Sequence, residues 1–184
     1  MPAPIPEERI FDATIDTIID HGYAGATMGQ IAEAAGIGEA TLFRRFTNKE
    51  TLLREAMKFE AVKFTQEGVR YTGHLEADLE RVIRSYNRLL RNRGRIFFVM
   101  LNELPRRPEL VEVAATTMGA VAEVTALLER YQQEGKLNGK APWEATLALL
   151  GPVLVTSTFK NLNPLLPVSL DPKGHVERYL NGWK

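Results

Sequence analysis

The sequence predicts an all-α fold in which a short N-terminal three-helix unit precedes a longer helical C-terminal part. Three observations carry that expectation. Apolar residues recur every three or four positions along nearly the whole chain, and no extended run alternates with the period of a strand. Glycine and proline fall mostly between those periodic stretches, where helices would end. Hydrophobic residues make up 45% and charged residues 25% of the 184, a balance that supports a packed core rather than disorder.

The first helix is expected over Pro6 to Asp20. Pro6 suits a first turn, Glu7 and Glu8 complement the positive end of the dipole, and Ile10, Phe11, Thr14, Ile15, Ile18 and Ile19 form one stripe. Gly22 supplies a terminator. Thr27 caps a second, short helix reaching about Ala34, and Gly36 stands where a tight turn wants positive φ. A third helix covers roughly Gly38 to Phe43, with Ile31, Ile37, Leu42 and Phe46 available to lock it to the second. Two short helices, a glycine turn and an apolar lock make a helix-turn-helix.

Asn48-Lys49-Glu50-Thr51 opens a longer helix running to about Tyr71. Further helices are expected near Leu75–Asn92, Gly94–Leu104, Glu109–Glu134, Pro142–Leu162 and Lys173–Gly182. Breaks fall at Leu104-Pro105-Arg106-Arg107-Pro108 and at Gly135-Lys136-Leu137-Asn138-Gly139, and Asn161 to Pro172 reads as an irregular connection. Gly151-Pro152 predicts a kink inside its helix.

Several function classes find no support. The absence of cysteine removes disulfides, cysteine-ligated zinc and thiol catalysis. His21, His74 and His175 are scattered; His74 and Asp78, four apart, are too few for a metal site, and no metal or cofactor is expected. No catalytic triad, paired-carboxylate motif or phosphate-cradling glycine loop stands out, so no enzymatic activity is expected. The N-terminus lacks the apolar core of a signal peptide, and no run approaches the roughly 18 consecutive apolar residues of a membrane span. The expectation is a soluble, cytoplasmic protein without a membrane partner. With 23 basic and 23 acidic residues the global charge is neutral, so a polyanionic partner would have to be met by a local basic patch. Arg44, Arg45 and Lys49 place three positive charges within six residues.

Residues 6 to about 57 resemble the DNA-binding domain of the TetR family. The matching string runs Ile10-Phe11-Asp12-Ala13, His21-Gly22-Tyr23 and Thr27-Met28-Gly29-Gln30-Ile31-Ala32. It continues through Ala34-Ala35-Gly36-Ile37, Ala40-Thr41-Leu42-Phe43, Arg45-Phe46 and Asn48-Lys49-Glu50-Thr51-Leu52-Leu53. The resemblance implies a helix-turn-helix DNA-binding domain over 1–50, a connecting helix over 51–72 and an effector-binding and dimerisation domain over 73–184. It implies a homodimer that binds double-stranded operator DNA and is released by a small apolar or amphipathic effector. It further implies that Thr27 and Lys49 touch phosphates and that the third helix enters the major groove.

Candidate DNA contacts are therefore Thr27, Gly38, Glu39, Ala40, Thr41, Phe43, Arg44, Arg45 and Lys49. Thr41 can offer its hydroxyl or its methyl to a base, and Ala40 can touch a thymine methyl. Glu39 could accept from cytosine N4 or stand in solvent, and Arg44 and Arg45 could be a solvated face or a phosphate clamp. Three positions depart from the family pattern. Phe43 replaces the usual Tyr, Gly38 a more typical Ser or Thr cap, and Glu39 a basic or small residue. These departures motivate an alternative, a helical small-molecule sensor or carrier with little DNA affinity. Tyr86, Asn87, Phe97, Phe98, Met100, Leu101, Thr116, Thr117 and Met118 could line an effector pocket or be plain core. Leu147, Leu150, Leu154, Val155, Phe159, Val176, Tyr179, Leu180 and Trp183 offer apolar area for a dimer interface, on the family's precedent more than on the residues' own.

Overall fold

The computed structural model describes residues 5–139 and 141–183. Its elements are α1 (Glu7–Gly25), α2 (Met28–Ala35), α3 (Glu39–Arg45), α4 (Lys49–Gly68), α5 (Leu75–Glu103), α6 (Val111–Gln133), α7 (Pro142–Leu162) and α8 (Pro172–Trp183). Two 3-10 turns, Leu104–Arg106 and Pro108–Leu110, join α5 to α6, and no strand occurs among the described residues. The fold class is all-α, as the periodicity predicts.

The chain divides into two compact units, Met1–Ala61 with Arg95–Thr117, and Val62–Gly94 with Met118–Lys184. These divisions fall inside α4, α5 and α6, so they cut across the segments 1–50, 51–72 and 73–184 that the sequence suggested. Residues 95–117 group with the N-terminal helices for a reason visible in the core. Ile96, Met100, Leu110 and Val113 are buried in the same cluster as Ile10, Ile15, Ile18, Ile31, Leu42 and Leu52. Within it Phe11 meets Phe46 edge-on, with ring centroids 5.9 Å apart, and lies 5.5 Å from Phe59. Thr14 and Thr17 are buried too, and their hydroxyls donate back to the carbonyls of Ile10 and Ala13, which satisfies both donors.

Gly22 interrupts α1 as expected, at φ 70° and ψ 162°, but the chain resumes one further helical turn to Gly25. The sequence expectation for α5 needs one correction. Leu75–Asn92 and Gly94–Leu104 are one helix, α5, of 29 residues. Gly94 does not end it; a Cβ there would stand 2.7 Å from Asn161 Nδ2 and 3.3 Å from Ser157 Oγ, so its missing side chain lets α7 approach. Pro152 sits inside α7 without ending it; its missing N–H deprives the Ala148 carbonyl of the usual donor four residues on.

Asp78, in the first turn of α5, is fully buried and accepts from the Thr72 amide and hydroxyl, both at 2.6 Å, and from the Tyr131 hydroxyl at 2.5 Å. Arg81 pairs with it at 3.0 Å. The segment 108–133 is long and apolar enough by length and composition to cross a bilayer, which the sequence reading did not anticipate. Its buried residues Val113, Ala120, Val124, Leu127, Leu128 and Tyr131 recur on one face, while Glu112, Glu123, Glu129 and Arg130 interrupt the rest. That one-sided pattern is the pattern of a helix that packs one face on a globular core.

Candidate nucleic-acid interface

The candidate residues gather on α2 and α3. Thr27 caps α2 with a reciprocal box: its hydroxyl accepts from the Gln30 amide at 3.2 Å, and the Gln30 side chain accepts from the Thr27 amide at 2.9 Å. Gly36 closes α2 at φ 72°, with its N–H bonded to the Glu33 carbonyl and that of Ile37 to the Ala32 carbonyl. The left-handed turn is what redirects the chain into α3. Ala32 and Ala35 are buried, and Leu42 is fully buried as the anchor of α3.

That anchoring decides which α3 residues look outward. Glu39, Ala40, Phe43 and Arg44 are exposed and Thr41 is half-buried. Gly38 caps α3 in an extended conformation without a side-chain bond, as its identity requires. The sequence-predicted contacts from Gly38 to Arg44 thus share one short helix and its start. Phe43, at 48% exposure, is a large apolar ring left in solvent.

Arg45 and Lys49 are placed differently. Arg45 Nη2 donates to Glu7 Oε1 on α1 at 2.8 Å, and its guanidinium lies 5.9 Å from the Phe46 ring centre. Lys49 points into the C-terminal end of α1. Its ammonium donates to the carbonyls of Tyr23 and Ala26, the latter at 2.6 Å, and stands 4.5 Å from the Tyr23 ring centre. Burial first, and then the nearby Arg107 guanidinium, lower its pKa from the usual lysine value. The phosphate contact that the resemblance suggested for Lys49 competes with this inward arrangement.

Glu7, Tyr23 and Arg107 were not among the sequence candidates. Arg107 lies 5.4 Å from the Tyr23 ring centre and is held by Glu103 at 2.7 Å. Burial, followed by the field of Glu50, raises the Tyr23 phenol above its ordinary pKa. The Glu7–Arg45, Tyr23–Lys49 and Tyr23–Arg107 contacts join residues far apart in the chain, so no periodicity could have found them.

The nine residues suggested for an effector pocket are distributed over the two units. Tyr86 is buried with its ring 5.7 Å from Phe64, and burial raises its pKa to about 12. Asn87 is half-buried and Met118 exposed in the same unit. Met100 belongs to the core of the other unit, Phe97 packs against that core, Phe98, Thr116 and Thr117 are half-buried, and Leu101 faces solvent. Thr116 spends its hydroxyl on the Glu112 carbonyl. The nine divide in this way because α5 is one helix whose last turns pack with the N-terminal core.

The second unit has a polar cleft of about 350 Å³ between α4 and α5, lined by residues that include Glu67, Glu80, Arg81, Arg84, Ser85 and Arg88. Arg84 pairs with Glu80, and Arg88 with Glu67 at 2.7 Å. Among the suggested interface residues, Leu147, Val155 and Phe159 are about half exposed and Leu154 is half-buried. Leu150, Val176, Tyr179 and Leu180 are taken up by burial within the single chain, and the side chain of Trp183 lies outside the described residues. Trp143 and Leu162 are exposed on the same helix as Leu147 and were not foreseen.

Residues 10–56 match the family model of bacterial regulatory proteins, tetR family. The chain is 27% identical over 129 residues to the uncharacterized HTH-type transcriptional regulator YvkB of Bacillus subtilis; the match covers 70% of this chain and 61% of that relative. In fold, it is similar to a TetR family transcription regulator from Marinobacter aquaeolei, with a TM-score of 0.75 at 17% identity over 96% of this chain and 95% of that one. It is similar also to the transcriptional regulator FadR from Bacillus subtilis in complex with stearoyl-CoA, with a TM-score of 0.73 at 22% identity over 94% and 95%. At such identities the structures speak for the fold alone, and the family match speaks for residues 10–56. Residues 10–56 thus carry the N-terminal domain of bacterial regulatory proteins of the tetR family, and the chain as a whole shares the all-helical fold of solved TetR-family regulators.

Proposed function

We propose that this protein is a DNA-binding transcriptional regulator that acts in the cytoplasm as a homodimer on a pseudo-palindromic operator, and that repression is its mode. The observation that carries the reading is α3 itself. Leu42 pins it to the core while Glu39, Ala40, Phe43 and Arg44 form an outward face of a size that fits a major groove. Thr27 and the start of α2 would meet a phosphate, since the amides of a helix start favour an anion.

The second copy would lie on α7, whose Trp143, Leu147, Val155, Phe159 and Leu162 are exposed apolar residues on one helix. A small amphipathic effector would release the DNA by binding more tightly to the form whose reading heads are wrongly spaced. The Bacillus subtilis neighbour is in complex with stearoyl-CoA, which makes a long-chain acyl thioester the first compound to try.

Selection from a pool of random duplexes, followed by sequencing, tests the reading. The control reverses Arg44 and Arg45 to Glu. Enrichment of an inverted repeat by the wild type and its loss in the control is the expected result. No enrichment at low salt would transfer the assignment to a helical sensor without useful DNA affinity.

A further inference from the structure

The DNA-binding head holds two of its own carboxylates against the features that would receive phosphate. Glu7, exposed in the first turn of α1, takes the Arg45 guanidinium at 2.8 Å across 38 residues of chain. Glu39, the first residue of α3, folds back over α2. Its oxygens lie 3.4 and 3.5 Å from where a Cβ on Gly29 would stand. Gly29 belongs to the first turn of α2, where amides have no intrahelical acceptor and the dipole is positive. The capping box takes up the amides of Thr27 and Gln30, and the Glu39 carboxylate adds its negative charge beside the rest of that turn.

We infer that Glu7 and Glu39 are specificity-determining residues of DNA binding: each occupies with a carboxylate a position that a backbone phosphate would otherwise fill. The inference rests on the reading of the chain as a DNA-binding protein. Arbitrary duplex offers only phosphates, so it must displace or tolerate both carboxylates and gains little. An operator returns what the displacement costs. Glu39, swung away from Gly29 at the start of the reading helix, can accept from a cytosine N4 amino group in the major groove. Arg45, freed from Glu7, becomes one more phosphate contact. The Glu7–Arg45 pair is exposed and therefore weak enough for a phosphate to displace. With balanced overall charge, this local self-neutralisation keeps the head from adhering to DNA at large.

The experiment compares wild type, Glu7→Gln, Glu39→Gln and Glu39→Ala on a random-sequence duplex across a range of salt, and then in selection from a random pool. All the altered side chains are exposed, and thermal melts confirm that the variants are folded. Glu7→Gln is expected to steepen the slope of log affinity against log salt by about 0.9 for each head, about 1.8 for a dimer, the signature of one more neutralised phosphate per head. Glu39→Gln is expected to tighten binding to random duplex several-fold, and Glu39→Ala to erase a cytosine preference that the wild type shows in each half-site. Variants that bind random duplex no better than wild type, with the same slope and the same enriched sites, would overturn the inference. Should the wild type retain no DNA, binding by a Glu7→Gln/Glu39→Gln double variant would still support it. Failure of both proteins to bind would overturn the DNA-binding reading and this inference together.

Discussion

Lys49 and Arg44 stand five residues apart, and the sequence offers both as phosphate contacts. The structure assigns them different local surroundings. Lys49 gives its ammonium to two carbonyls at the end of α1, where four helix carbonyls lack intrahelical donors. Arg44 is exposed on the outward face of α3. Charge-assisted hydrogen bonds to otherwise orphaned carbonyls contribute about 1.5–3 kcal/mol. Lys49→Ala should therefore lower the unfolding free energy by about 2 kcal/mol in a urea titration, whereas Arg44→Ala should leave it unchanged within about 0.5 kcal/mol and weaken DNA binding. Equal stability of the two variants would refute the division. The sequence could place both residues beside the helix-turn-helix, because the motif is local. It could not say which of them turned inward, since the Tyr23 and Ala26 carbonyls that decide the matter belong to another helix.

At the scale of elements, glycine shows what a pattern can and cannot convey. Gly22 and Gly36 read correctly as breaks because their positive φ acts on their own backbone. Gly94 read as the start of a new helix and is a contact inside α5, because its role depends on Asn161 and Ser157. The start of α5 poses a similar problem: the sequence shows His74 and Asp78 four apart, but not Tyr131, which arrives from α6. Burial pushes the Asp78 carboxyl upward, yet the bonds from the Thr72 side chain, Tyr131, the Thr72 amide and Arg81 outweigh it and hold its pKa below the usual carboxylate value. A carboxylate depressed by folding contributes stability that is complete above its unfolded pKa, near 3.9, and is lost as pH falls through the lower folded value. Asp78→Asn should cost about 2–3 kcal/mol at neutral pH by leaving donors poorly matched. Its melting temperature should also fall less on acidification below about pH 4 than that of the wild type. Parallel acid profiles for the two proteins would contradict this account of the network.

At the scale of the whole molecule, the exposed apolar residues of α7 call for a covering surface. The sequence supplied leucines, valines and aromatics for an interface without separating those that a single chain buries from those it leaves out. Leu150, Val176, Tyr179 and Leu180 are consumed within one chain, and Trp143, Leu147, Val155, Phe159 and Leu162 are not. Positions 143, 147, 155, 159 and 162 recur at helical spacing, so they form one side of a 21-residue helix about 31 Å long. A row of that length, met by its own copy across a two-fold axis, is the kind of self-complementary surface that closes a dimer. Leu147→Glu combined with Phe159→Glu would set charges against charges at that axis. Both residues are about half exposed, so the single chain should keep its fold. Sedimentation should then report the mass of one chain where the wild type gives two, with an unchanged helical circular dichroism spectrum. The DNA result follows from linkage. Two tethered heads gain an effective concentration that separate heads lack, so the monomeric variant should bind the operator at least about 100-fold more weakly and enrich half-sites rather than inverted repeats. A double variant that still sediments as a dimer would move the interface off α7.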